Sequence, residues 1–287
     1  MSGAGVAPWR ELALCADDFG LSQAVDRAIL RLAAAGRLTE VSCIVNTEDW
    51  PGRLPELAAL GAVAAGRLRI GLHVNLTEGL PLSAELRRHW PRLPSLPRLL
   101  LLSHLRAVPG AALGAELRAQ WARFEAAAGR PPAHLDGHQH VHHLPVVRDR
   151  VLAELAHHPH VVVRSTARVG GPGFWLKRQL IAGTGGRALG RALQARGRAA
   201  NRVLLGVYDF VDADYRGLMQ QWLAAAPQHG ALVMCHPGEA LPAGQASDAI
   251  AAARARELSY LASTDFADDL AASGSRLAFS AQSSSGG

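Results

Sequence analysis

Several features of small secreted proteins and membrane proteins are scarce or absent in this 287-residue sequence. Its three cysteines, Cys15, Cys43 and Cys235, lie far apart, which argues against a disulfide framework and is typical of buried thiols in a reducing compartment. The leucine-rich segment 93–105 is interrupted by prolines and charged residues, so it is too short and too polar to span a bilayer. The first ten residues lack the basic region and apolar stretch of a secretion signal. We therefore predict a cytoplasmic protein without a membrane span.

Aromatic residues are also few, at 5% of the chain, and Lys177 is its single lysine. The formal charge of +6 therefore comes from arginine, which is concentrated around 177–202. A nucleic-acid interface needs base-reading or stacking groups beside its basic face, and these are sparse in that segment. We interpret the segment as a solvated helix surface, with an anion site as the alternative. No nucleic-acid partner is expected.

The signatures of nucleotide-binding proteins and serine hydrolases are absent. There is no P-loop, no dinucleotide fingerprint and no Gly-x-Ser-x-Gly elbow. The glycine-rich stretches 170–173 and 183–186 do not follow the strand-to-helix pattern that such motifs require, so we interpret them as loops. Histidines and carboxylates remain as the candidates for chemistry.

Short β-rich runs alternate with alanine- and leucine-rich stretches of helical pattern, which predicts a parallel sheet. With 49% hydrophobic residues the chain can fill a complete core. The segments 75–112 and 165–202 are longer than ordinary loops, which indicates active-site loops or lids. Strands are predicted at 12–15, 41–45, 69–74, 133–138, 161–164, 203–207, 231–235 and 276–279, and helices near 22–35, 54–65, 113–128, 145–156, 176–198, 214–226 and 247–262.

About eight strand–helix units favour an α/β fold of the irregular (β/α) barrel type, similar to a TIM barrel and built as a single domain. An open doubly wound sheet is the alternative. We predict that this domain spans 11–280, after an N-terminal extension over 1–10 and before a small polar tail, 281–287, that is disordered.

The most informative stretch is His-Leu-Asp-Gly-His-Gln-His-Val-His, residues 134–142. In an extended strand, alternate side chains share one face, which here would carry His134, Asp136, His138, His140 and His142. A row of imidazoles has little packing value, so a divalent metal site is the natural interpretation. A catalytic site uses about three protein ligands, and the remaining groups then orient them or contact substrate.

Other polar residues fall where predicted strands end. Asp17 and Asp18 follow the first strand, His73 ends the third, His138 ends the fourth and His236 follows the seventh. In a barrel these positions converge on the rim where active sites are built. Adjacent carboxylates at a strand end point in different directions, so one can bind a cation while the other faces substrate.

Three further side chains near these strand ends have interpretations that remain open. His236 can act as a general acid near neutral pH, or it is a loop histidine held by the turn at Pro237. Asn75 shares a face with His73 and is a candidate for substrate contact. Arg164 pairs with a carboxylate and fixes its ionisation, or lies on the surface.

Taken together, these motifs resemble the YdjC-type carbohydrate deacetylases, which include the chito-oligosaccharide deacetylases. The resemblance runs in order from about residue 11 to 240. Gln139 replaces the middle histidine of a frequent His-His-His run, and Asp26 stands where an Asn is common. Segment 165–202 does not align with the family's motifs, which leaves the substrate open. The motifs that carry the resemblance are Ala-Asp-Asp-Phe-Gly-Leu-Ser at 16–22, Gly-Leu-His at 71–73, Leu-Thr-Glu-Gly-Leu-Pro-Leu at 76–82, the histidine-rich stretch 134–142 and Met-Cys-His-Pro at 234–237.

The resemblance implies a (β/α) barrel that removes N-acetyl groups from amino sugars with one divalent cation, Mg²⁺ or Zn²⁺, often as a homodimer. By position, Asp18, His73 and His138 correspond to the family's metal ligands and Asp17 to its catalytic base. His236 corresponds to a histidine that protonates the leaving amine.

Two alternatives to a metal-dependent deacetylase stay open. A metal-dependent phosphoesterase or another barrel amidohydrolase also uses His-x-His strands, often with two metals, and would employ His140 or Asp136 as additional ligands. A metal- or sugar-binding protein without turnover would have no need of Asp17 as a base.

Overall fold

A single curled parallel sheet organises the molecule, whose computed structural model describes residues 9–60, 63, 65–240 and 248–281. The strands are β1 (Arg10–Phe19), β2 (Glu40–Cys43), β3 (Arg69–Val74), β4 (His134–Gly137), β5 (Val162–Val163), β6 (Val203–Leu205), β7 (Ala231–Cys235) and β8 (Ser275–Leu277). Their order in the sheet is β5-β4-β3-β2-β1-β7-β6, and β8 pairs with β1. Isolated bridges join Val163 of β5 to Ala200 and Leu204 of β6 to Val169.

Helices cover the outside of the sheet, and a 3₁₀ segment, His138–His143, and a π turn, Ala182–Gly186, interrupt the pattern. Within the described part of the chain, none of the helices is long and apolar enough to cross a membrane. The α-helices are α1 (Gln23–Ala34), α2 (Leu54–Ala59), α3 (Ala84–His89), α4 (Leu96–His104), α5 (Gly110–Ala128), α6 (Val147–Leu155), α7 (Trp175–Ile181), α8 (Arg187–Ala195), α9 (Tyr215–Ala225), α10 (Ala251–Leu261) and α11 (Thr264–Ala272).

The sheet curls into a half-barrel, which confirms the prediction of an α/β, (β/α) barrel-like fold in one domain. The long predicted loop over 75–112 in fact contains α3 and α4. The single helix predicted over 176–198 is broken by the π turn, where Gly185 has a φ of 158°. The extension 1–10 and the tail 281–287 lie almost entirely outside the described residues, so those domain boundaries stay predictions.

Strand β1 lies at the centre of the sheet and positions two candidate site residues. It pairs with β7 along one edge, and with β8 and then β2 along the other. Because β1 is buried on both faces, its residues 12–16 are all apolar and do not alternate between apolar and polar. Its register with β2 shifts between Ala16 and Phe19, where Asp18 has a φ of 72°. This irregular end carries Asp17 and Asp18 to the rim.

Candidate metal centre and active site

The histidine-rich stretch does not continue as a strand. β4 ends at Gly137, and the 3₁₀ segment follows with Gln139 and His140 in the left-handed region, at φ of 53° and 63°. A Cβ at Gly137 would lie 2.9 Å from the backbone nitrogen of His142, because the chain turns back on itself here. The prediction that five alternate side chains share one strand face is therefore wrong beyond residue 137. Alternation of residue types does not by itself fix the backbone.

One carboxylate and two imidazoles meet at the rim of the half-barrel. Asp18 Oδ1 lies 2.8 Å from His138 Nδ1 and 3.5 Å from His73 Nε2. The three side chains are buried, yet all line a cavity of about 1010 Å³. Their potential ligand atoms lie within 4.8 Å of one another. We refer to Asp18, His73 and His138 as the rim cluster.

The donor chemistry of the rim cluster fits a divalent cation. Although burial disfavours a charged imidazole, the Asp136 carboxylate raises the pKa of His73 to about 10. In the same way, the Asp18 carboxylate raises the pKa of His138 to about 9 against the effect of burial. The carboxylates Asp136 and Asp18 thus strongly favour a positive charge at the imidazoles between them. One carboxylate with two imidazoles is also a usual ligand set for a divalent cation.

His73 is held from behind by Asp136, whose Oδ1 lies 2.6 Å from His73 Nδ1. This contact leaves Nε2 of His73 facing Asp18. A carboxylate that orients a ligating imidazole through its second nitrogen is common at metal sites. Asp136 Oδ2 accepts from Ser42 at 2.7 Å and lies 2.5 Å from Arg164 Nη2. Both oxygens of Asp136 are therefore engaged within the protein, which disfavours it as a ligand for a second metal.

In the described part of the chain there are two other clusters of potential ligands, Cys15 with Glu40 and His134, and Cys15 with Asp17 and Asp136. Burial raises the pKa of the Cys15 thiol well above its ordinary value, which disfavours the thiolate that a metal needs. None of Cys15, Glu40, His134 and Asp136 lines the large cavity. Among the described residues, the rim cluster is thus the group of three potential ligands whose members all line the cavity.

Asp17 and Asp18 point to different partners. Arg164 donates from Nη1 to Asp17 Oδ2 at 2.6 Å and from Nη2 to Asp17 Oδ1 at 2.7 Å. Asp18 Oδ2 instead accepts from Arg254 Nη2 at 2.7 Å. Each carboxylate is consequently oriented by its own buried guanidinium, and Asp17 stays beside the rim cluster without belonging to it.

His236 lies at the same end of the cavity. Its Nε2 is 3.9 Å from Asp17 Oδ2, and its backbone N–H donates to Glu257 Oε2 at 2.5 Å. Glu257 also accepts a hydrogen bond from the Tyr208 hydroxyl, at 2.6 Å. Burial lowers the pKa of His236 to about 4, so the resting imidazole is neutral at neutral pH.

The remaining predicted site residues are placed differently. Asn75 is buried and does not line the cavity; its amide donates to Asn46 Oδ1 and to the Glu78 carbonyl, and its Oδ1 accepts from the Glu78 N–H. It therefore holds the turn that carries Glu78, whose Oε1 lies 3.1 Å from His138 Nε2. His140 lines the cavity.

Sequence reasoning did not identify Arg254 and Glu257. Both are buried on α10, one turn apart, beside the buried Ala253, Leu258 and Leu261. The sequence did contain a signal for them, since both fall on the apolar face of a predicted amphipathic helix. Charged residues are rarely buried on such a face unless they are paired.

Asp26 in α1 provides a test of stability near the site. It accepts from the Gly20 N–H at 2.6 Å, and burial raises its pKa to about 6. Because this pKa lies above the value in the unfolded chain, the folded state loses stability as pH rises from about 4 to about 6. Asp26→Asn keeps the acceptor and removes the charge, so we expect the free energy of unfolding at pH 7 to increase by about 3 kcal/mol.

Urea unfolding of both proteins at pH 4 and pH 7 measures this effect. The gain in Asp26→Asn should be present at pH 7 and nearly absent at pH 4. A variant that is equally or less stable than the parent at pH 7 would contradict the effect of the buried charge.

Comparison with known proteins places this chain in a family. The family model described as YdjC-like protein matches residues 11–272. The chain is 37% identical over 148 residues to a carbohydrate deacetylase of Mus musculus, covering 49% of this chain and 45% of that protein. It is 29% identical over 145 residues to a chitooligosaccharide deacetylase of Escherichia fergusonii, covering 48% of this chain and 52% of that protein. The chain thus spans about half the length of the curated relatives it matches.

A solved structure from Enterococcus faecalis V583, of a protein named for cellobiose-phosphate cleavage, superimposes with a TM-score of 0.69. The two are 19% identical, and the match covers 94% of this chain and 97% of the other, which shows a common fold. Since the family model covers most of the sequence, the chain belongs to the YdjC-like family.

Proposed function

We propose that the protein is a metal-dependent carbohydrate deacetylase, which hydrolyses the acetamido group of an amino sugar to a free amine and acetate. The observation that carries this proposal is the arrangement of Asp17 beside the rim cluster, at the end of a large cavity. The names of the relatives from Mus musculus and Escherichia fergusonii support the same reaction class.

In this proposal Asp18, His73 and His138 hold one divalent ion. Mg²⁺ and Zn²⁺ both suit one carboxylate with two imidazoles. When bound, the ion supplies Lewis-acid polarisation of the acetyl carbonyl and lowers the pKa of a nearby water molecule. Arg254 keeps Asp18 oriented and Asp136 keeps His73 oriented, so the chain holds its ligands in place before the substrate arrives.

Asp17 acts as the general base in this scheme. Arg164 fixes the direction of the Asp17 carboxylate. The Asp17 side chain lines the cavity, where the water would attack. Asp17 accepts the proton of the attacking water as the carbon–oxygen bond forms.

His236 acts as the general acid. Its neutral imidazole lies 3.9 Å from Asp17 Oδ2, so the proton taken by Asp17 has a short path to it. His236 then delivers this proton to the nitrogen as the carbon–nitrogen bond breaks, which leaves a free amine and acetate. Glu257 and Tyr208 act as positioning residues, since they fix the backbone at His236.

A screen for acetate release across N-acetylated sugars, with and without a chelator, tests the proposal. We expect release from at least one of chitobiose, its phosphorylated form, or nucleotide- or lipid-linked sugars, because Asp17 and the proposed metal ligands face the same cavity. Release should stop with the chelator and return with Mg²⁺ or Zn²⁺. Release that the chelator leaves unchanged would contradict the metal-dependent mechanism, and no release at all would favour a phosphoesterase or a binding protein.

A homodimer and a cytoplasmic location stay predictions.

A further inference from the structure

Away from the rim cluster, the cavity is lined partly by polar side chains and partly by aliphatic ones. Two short helices provide much of the aliphatic surface: α4 contributes Leu96 and Leu100, and α7 contributes Leu180 and Ile181. Leu144 and Val207 extend it. Leu180 lines the cavity and is also 56% exposed, so the apolar surface reaches the mouth.

Branched aliphatic side chains are poor partners for additional sugar units. Sugars are bound through hydrogen bonds to their hydroxyl groups, whereas leucine and isoleucine side chains neither donate nor accept. The aromatic residues in the lining are Phe210 and Tyr208, and the Tyr208 hydroxyl is engaged with Glu257. The aliphatic side chains of α4 and α7 therefore offer no hydrogen bonds to a second or third sugar, and the described lining residues that could, such as Gln23 and Gln139, belong to other segments.

An anionic group on the substrate is not favoured either. Lys177 lines the cavity, but its Nζ donates to the Tyr208 carbonyl at 2.6 Å and lies 4.8 Å from the centre of the Phe210 ring. Arg27 is paired with Glu239 at 2.7 Å. These cations are already engaged, which reduces their ability to bind a phosphate.

A single acetamido sugar also fills only a fraction of the available space. At about 1010 Å³ the cavity is at the upper end of the usual range for small-molecule sites, roughly 300–1,000 Å³. Part of the remaining volume is bounded by the leucines of α4 and α7, and covering such aliphatic side chains is favourable for an apolar group in proportion to the area removed from water.

We propose that the substrate is amphiphilic: an acetylated amino sugar attached to an aliphatic chain, with the sugar at the rim cluster and the chain against the leucines of α4 and α7. This inference rests on the proposed deacetylase function and names its substrate class. The aliphatic chain of the substrate adds binding energy far from the reacting amide. Its effect should therefore appear in KM more than in kcat.

The first experiment compares the methyl and octyl glycosides of N-acetylglucosamine, both kept monomeric in solution. Burying one methylene group is worth up to about fourfold in affinity, so even partial burial of the octyl chain should raise kcat/KM by at least about tenfold. We expect kcat to change little. Equal kcat/KM for the two glycosides would overturn the proposal.

Matched variants locate the effect in the cavity. Leu100→Gln and Leu180→Gln place a polar group in the apolar wall and should reduce the octyl preference severalfold, with little effect on the methyl glycoside. Leu101→Gln and Leu176→Gln change neighbouring residues on the same helices that are 61% and 64% exposed and do not line the cavity. These controls should keep the preference. A preference that survives in both cavity variants would contradict the assignment, and melting temperatures check that all four variants are folded.

Octyl glucoside, which has no acetamido group, separates this inference from the proposed function. Its binding, measured by calorimetry, should weaken severalfold in Leu100→Gln and Leu180→Gln. If it binds in this way while no sugar releases acetate, the apolar subsite stands and the deacetylase proposal fails. If the methyl glycoside is hydrolysed while octyl glucoside does not bind, the deacetylase stands and the amphiphilic substrate is wrong.

Discussion

Asp17→Asn is expected to lower kcat for acetate release by about 10²–10⁴, the usual contribution of a general base. Asn has nearly the same shape but cannot accept a proton from the attacking water. Since Asp17 lies outside the rim cluster, the variant should bind the metal as the parent does. Acetate release in single turnovers and metal content per chain measure the two properties separately.

The matched control is Asp26→Asn, the same change at another buried carboxylate that does not line the cavity. It should retain near-parental activity. The melting temperature of Asp17→Asn is needed as well, because Arg164 loses one of its two carboxylate partners, although Asp136 remains. Acetate release from folded Asp17→Asn at the parental rate would rule out the proposed base and favour a protein in which Asp17 serves only to pair with Arg164.

His138→Ala is expected to weaken metal binding by more than about a hundredfold, and acetate release should be lost with the metal. The reason is that removing even a partner behind a ligand costs 10–100-fold in affinity, and His138 is proposed as a ligand itself. Calorimetric titration of the metal-free protein with Zn²⁺ or Mg²⁺ gives the affinity and the number of ions per chain.

His140→Ala is the control, since His140 belongs to the same 3₁₀ segment and lines the same cavity but lies outside the rim cluster. It should bind the metal like the parent, with one ion per chain. Two ions per chain, with one of them lost in His140→Ala, would contradict the single-metal site and favour the phosphoesterase alternative. Unchanged metal affinity in His138→Ala would show that the ligands have been assigned incorrectly.

The fold was predictable because its sheet is buried on both faces. Strands such as β3 and β7 are compact apolar runs between helical stretches, and their predicted bounds agree with those observed. Polar residues at the ends of such runs are conspicuous, which is why the positions of Asp17, Asp18 and His73 at the rim followed from the sequence. α3 and α4 were missed because each is short and follows proline-rich sequence that resembles a loop.

The partners of the site residues were much harder to predict. Whether Arg164 is a surface residue or a buried partner of Asp17 depends on a contact between residues 147 positions apart. Arg254 and Asp18 are 236 positions apart. Hydrogen bonds of this kind depend on how the sheet curls, and local patterns of hydrophobicity contain no information about it. The turn after Gly137 was missed for a local reason, since Gln139 and His140 adopt left-handed conformations that non-glycine residues seldom use.

The contact between Asp18 and Arg254 also determines when during protein synthesis the site can be completed. The carboxylates at the end of β1 leave the ribosome more than two hundred residues before α10, which supplies Arg254 and Glu257. Strand β1 must likewise wait for β7 and β8 before both of its edges are paired. Long-range pairings of this kind slow folding, and unpaired strand edges favour aggregation in the meantime. The nascent chain therefore carries Asp18 through the synthesis of more than two hundred further residues before the arginine that orients it is available.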